Sequence, residues 1–126
     1  MSLKIHSVEN SNDPNHEFVR LTTTVAINMK GYALIDKTFD LNGEISNEFR
    51  HIYIFPDLIL YPGEYLRLYT GKGDYKGETH DTQGHNIHFL YWNSEECVWN
   101  DQGGDTATLI KISVVDSKKV PPVKKK

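Results

Sequence analysis

Apolar residues in this chain recur at every second position in short runs, and each run is cut off by glycine, proline, asparagine or aspartate. That alternation constrains the fold most, because it sends one face of an extended segment into a core and the other into solvent. Leu3, Ile5 and Val8 begin it. Glu17-Phe-Val-Arg-Leu21 repeats it and runs into the β-favouring threonines 22–24. Val25, Ile27 and Met29 alternate next, then Gly31–Asp36 and Phe39–Leu41, ending at Asn42-Gly43, a dipeptide suited to a tight turn. Phe49–Phe55 sets Ile52 and Ile54 against Tyr53 and Phe55, and Pro56 stops it because proline cannot donate to a ladder. Tyr61-Pro-Gly-Glu64 predicts a type II turn, with Pro62 presetting φ and Gly63 free to take the left-handed position. Tyr65–Thr70 alternates again. Gly71–His88 reads as a long polar loop. His88–Trp92 and Thr106–Val115 are the last strands, with Ile110, Ile112 and Val114 on one face.

No stretch holds the three-and-four spacing of an amphipathic helix, so little or no helix is expected. Short strands at this spacing predict an all-β fold, an immunoglobulin-like antiparallel β-sandwich of about seven to nine strands. At 126 residues the chain is one domain, able to bury roughly two thirds of its unfolded surface. Cys97 is the single cysteine, which excludes an intrachain disulfide and reads as a small apolar group beside Val98 and Trp99. No apolar run approaches the ~20 residues of a membrane span, and residues 1–6 lack the basic-then-apolar pattern of a signal peptide.

Charge divides the chain in two. Residues 118–126, KKVPPVKKK, hold five lysines and no acid, whereas residues 1–117 hold nine basic and seventeen acidic side chains. The body, a domain over 1–117, is therefore too acidic for a broad nucleic-acid face. Lys118, Lys119, Lys124, Lys125 and Lys126 make 118–126 a solvated tail or linker, with weak nucleic-acid binding as its alternative role.

Four constellations bear on chemistry. His80, Asp81, His85 and His88 carry the ligand types of an open Zn²⁺ site. On a strand, however, His85 and His88 would point to opposite faces, so the array reads as solvated loop residues with a metal site as the alternative. The stretch WNDQGGDTATL, residues 99–109, puts Asn100, Asp101 and Asp105 around two glycines, yet lacks the order of a calcium loop and the Lys-Ser/Thr of a phosphate cradle. It reads instead as a hairpin turn between core anchors Trp99 and Leu109. Ser94 and Ser113 lack a nucleophile elbow, Cys97 has no flanking base, and Glu95 and Glu96 would diverge on a strand. No enzyme activity and no cofactor are expected. Tyr61, Tyr65, Tyr69, Tyr75, Tyr91 and Trp92 read as core or cross-strand pairs, with a stacking face for a glycan, peptide or base as the alternative.

Taken in order, the turns and strands resemble the lamin-tail domain family, the immunoglobulin-like module of nuclear lamins that is also found in bacterial proteins. The resemblance rests on Glu17-Phe18-Val19-x-Leu21, Ile27-x-Met29-x-Gly31-Tyr32-x-Leu34-x-Asp36, Phe55-Pro56, Leu60-x-Pro62-Gly63-Glu64-Tyr65-Leu66 and Gly71-x-Gly73. It closes on Val98-Trp99-Asn100-Asp101-x-Gly103-Gly104-Asp105-x-Ala107-x-Leu109, so that it covers about residues 3–116. Tyr32 stands where the family has tryptophan, Thr22–Thr24 where it has an asparagine-led turn, and the loop before Asp105 has an extra glycine. The resemblance implies a non-catalytic module that binds protein and forms part of a longer polypeptide. In lamins the domain engages proteins and nucleic acid, and in bacteria the resemblance implies an accessory domain attached to secreted or envelope-associated enzymes.

Overall fold

The computed structural model describes the backbone of residues 2–39, 45–80, 86–99 and 106–123, and among these the side chains outside 37–50 and 76–80. These residues form ten strands and no helix: β1 (Leu3–Glu9), β2 (Phe18–Thr23), β3 (Ile27–Asn28), β4 (Tyr32–Phe39), β5 (Ile45–Ile54), β6 (Ile59–Leu60), β7 (Tyr65–Tyr69), β8 (Lys76–His80), β9 (Asn86–Tyr91) and β10 (Thr106–Lys111). A five-stranded sheet in the order β1-β2-β7-β9-β8 packs against a three-stranded sheet β10-β4-β5, with the short pair β3-β6 beside them. The all-β sandwich expected from the alternation is therefore the fold.

The core forms where the inward positions of the strands meet. Val19 and Leu21 of β2, Leu66 and Leu68 of β7 and Leu90 of β9 face Leu34 of β4, with Leu3, Met29, Phe55, Leu60, Val98 and Trp99 completing the cluster. Burying each large aliphatic side chain contributes about 2 kcal/mol. Tyr53 and Leu109 pack partly against this cluster, while Ile52 and Ile54 remain 46% and 60% exposed on the opposite side of β5. Gly63 adopts φ +85° and the Glu64 amide donates to the Tyr61 carbonyl at 3.0 Å, the type II turn expected there.

Three local readings change. Gly71–His88 is not all loop, because β8 forms at Lys76–His80 and β9 begins at Asn86. β8 is an edge strand whose register on β9 shifts between Lys76 and Thr79, and an edge strand needs no buried alternation to pair. With β8 on the edge, β9 enters between β7 and β8 and runs parallel to β7, while the other strand pairs are antiparallel. Finally, β10 ends at Lys111. The Ile112 amide still donates to the Gly31 carbonyl at 2.7 Å, but Val114 and Val115 have left the sheet and are exposed. The Asn42-Gly43 turn lies outside the described residues.

Candidate functional site

The residues that carry the family resemblance hold the interior together. Glu17 is fully buried just before β2, and its Oε1 accepts from the Thr70 hydroxyl (2.6 Å), the Val98 amide (2.7 Å) and the Trp99 amide (3.2 Å). That carboxylate fixes the segment carrying Trp99, whose indole packs edge-on to Trp92 at 6.0 Å. Asp36, also buried, has Oδ2 3.5 Å from Nδ1 of His51. Leu34 and Leu109 pair across β4 and β10, Gly31 takes φ +93° ahead of β4, and Pro62 and Gly63 make the turn before β7. Phe18 points the other way, out of the core. Asn100, Gly103 and Asp105 lie outside the described residues.

Of the histidine-loop candidates, His88 alone has a described side chain. Asp81 and His85 lie outside the described residues, and His80 is placed as backbone opposite Asn86. His88 turns inward beside Leu66, with Nδ1 2.9 Å from the Tyr75 hydroxyl and Nε2 3.3 Å from Oε1 of Glu64. Glu64 also accepts from the Tyr61 amide (2.8 Å) and the Asn86 side-chain amide (3.0 Å). Burial raises the Glu64 pKa, but these two donors and the adjacent His88 outweigh it and hold the carboxyl below its ordinary 4.5. The cluster ties the Tyr61–Glu64 turn to β9. At Cys97, burial and then the nearby Glu17 carboxylate push the thiol up from its ordinary 9.0, and Sγ donates to the Ser11 carbonyl at 3.1 Å. The thiolate form is correspondingly disfavoured at neutral pH. Lys118 and Lys119 lie on an exposed segment without strand structure, and Lys124, Lys125 and Lys126 lie outside the described residues.

The six aromatic residues separate. Tyr61 is exposed in the turn, Tyr75 meets His88, and Trp92 packs against Tyr53 at 5.7 Å at the core margin. Tyr65, Tyr69 and Tyr91, by contrast, share the outer face of the five-stranded sheet. Strand register arranges that face in three rows across β2, β7 and β9: Thr22, Tyr65 and Ile87; Arg20, Arg67 and Phe89; Phe18, Tyr69 and Tyr91. The rings lie against one another, with Tyr69 5.0 Å from Phe18, 5.9 Å from Phe89 and 5.7 Å from Tyr91. Both guanidinium groups lie over rings, Arg20 5.4 Å from Tyr65 and Arg67 5.0 Å from Phe18, contacts worth about 0.5–1 kcal/mol each at such sites.

Reading the aromatics alone misses Phe18, Arg20, Arg67 and Phe89. The signal that finds them is the outward half of the same alternation: Phe18-x-Arg20, Tyr65-x-Arg67-x-Tyr69 and Phe89-x-Tyr91. A face with this composition can supply flat apolar contact and cationic hydrogen-bond donors together.

The three-stranded sheet has a different outer face. Ile110, Ala33 and Ile54 form one row across β10, β4 and β5, and Thr108, Ile35 and Ile52 the next. A groove of about 650 Å³ opens beside it, lined by Ile54, Phe55, Pro56, Ile112 and Val114 together with Lys30 and Asp57. Comparisons of the chain with protein-family models, with curated proteins and with solved structures give no match.

Proposed function

We propose that this chain is a non-catalytic interaction module, similar to the lamin-tail domain, that binds a protein partner through the outer face of its five-stranded sheet. The observation that carries this reading is the three-row array of Phe18, Arg20, Tyr65, Arg67, Tyr69, Phe89 and Tyr91. Tyrosine, phenylalanine and arginine are enriched at the centres of protein interfaces, and tyrosine and arginine are frequent hot spots there. The resemblance supports the same reading, since Glu17, Leu34, Gly63 and Trp99 serve the core and its turns. They leave the sheet face free to vary with the partner. The module serves as an accessory domain of a longer secreted or envelope-associated polypeptide.

A photo-crosslinking scan tests this. A benzoylphenylalanine placed at Phe18, Phe89 or Tyr91 gives the same adduct with one partner protein, whereas the residue at Asp57 or Lys72 does not. The purified partner then binds the unmodified domain. Adducts that form only from the control positions, or partner-independent turnover abolished by His88→Ala, would overturn the proposal.

A further inference from the structure

At the centre of the face, Arg20 and Arg67 are direct cross-strand partners in the β2–β7 ladder. Like charges set opposite each other on one sheet face are destabilising. Sequences usually relieve them with a neighbouring carboxylate, and this chain has seventeen aspartates and glutamates against fourteen lysines and arginines. Yet the ion pairs among the described residues join His16 to Asp13, His51 to Asp36, Lys72 to Glu95 and His88 to Glu64, and none involves either arginine. Their Nε atoms are shielded from water and make no hydrogen bond among the described residues. The rings hold both half-buried side chains in place, Arg67 Nη1 also donates to the Tyr69 hydroxyl at 3.5 Å, and neither guanidinium meets a carboxylate among the described residues.

Resting on the reading of this face as the binding surface, we infer that Arg20 and Arg67 form a clamp for carboxylates of an acidic segment of the partner protein. Two fixed guanidinium groups match the geometry of carboxylates, and the charge-assisted bonds compensate the repulsion between them. A nucleic-acid strand fits this face less well. Nucleobases need free ring faces, and here Phe18, Phe89, Tyr69 and Tyr91 already stack on one another or lie under guanidinium groups.

The Nε–H groups of the two arginines supply a direct reporter, followed by ¹⁵N NMR at mildly acidic pH. The full chain is titrated at low salt with an oligoglutamate peptide, an oligoglutamine of equal length and a thymidine oligonucleotide. Oligoglutamate is expected to shift the Arg20 and Arg67 Nε–H signals, oligoglutamine to leave them unmoved. R20Q and R67Q, with their fold checked by circular dichroism, each weaken oligoglutamate binding by about tenfold. Absent shifts, binding that survives in the double variant, or tighter binding of the oligonucleotide would each overturn the clamp. If face positions crosslink a partner whose affinity is the same for R20Q/R67Q, the clamp fails while the binding face stands.

Discussion

Glu17 gathers three donors from two distant parts of the chain onto one oxygen, so its removal leaves Thr70, Val98 and Trp99 without an acceptor inside the core. E17A is expected to cost roughly 3–5 kcal/mol in urea unfolding. E17Q keeps an accepting oxygen and is expected to cost less than half as much. Glu64 adds a pH dependence. Its carboxyl is held below 4.5 in the folded state, so its contribution to stability is full above that pH and is lost as pH falls through the lowered folded value. The urea midpoint of the wild type should therefore exceed that of E64Q at neutral pH, with the gap closing in acid. Equal gaps at pH 7 and pH 3 would contradict the assignment. Nothing in the sequence marks Glu17 as buried. Its alternation with Val19 and Leu21 places it on the inner face, but a glutamate there reads as an error until its partners, 53 to 82 positions away, are known.

The inward faces of β2 and β7 were legible because apolar and polar positions alternate there with period 2. In β5 and the Phe55 that follows it, both Ile52/Ile54 and Tyr53/Phe55 are apolar, and only packing shows that Tyr53 and Phe55 turn inward. β8 and the direction of β9 were not legible. An edge strand is selected by backbone pairing, and the alternation within β9 does not say whether it runs parallel or antiparallel to β7. Turn chemistry is local and reads well, as at Pro62-Gly63. G63A meets no atom within 4 Å but must hold φ +85°, and should cost about 1 kcal/mol without altering the sheet face. G73A differs. A methyl group there would lie 2.7 Å from ring carbons of Tyr91, so it must push that ring out of its stack on Tyr69. Comparing ring-proton shifts of Tyr69 in the two variants checks this: a change in G73A alone is expected.

At the scale of the whole molecule, the sandwich presents two unlike outer surfaces, one of arginine and aromatic rings and one of isoleucine. Both were present in the sequence as the outward halves of alternating strands. What the sequence left open was which strands would become neighbours, so Phe18-x-Arg20 and Tyr65-x-Arg67-x-Tyr69 stayed separate patterns until β2 and β7 paired. The central claim is that the arginine–aromatic face, rather than the isoleucine face or the basic tail, engages the partner. Calorimetric titration of the crosslinked partner, once purified, against an alanine scan tests it most directly. Arg67→Ala and Tyr69→Ala are each expected to weaken binding by about 2 kcal/mol or more, with Ile54→Ala and removal of residues 118–126 within about twofold of wild type in Kd. The reverse pattern, affinity lost with Ile54→Ala or with the tail and kept with Arg67→Ala and Tyr69→Ala, would contradict the account.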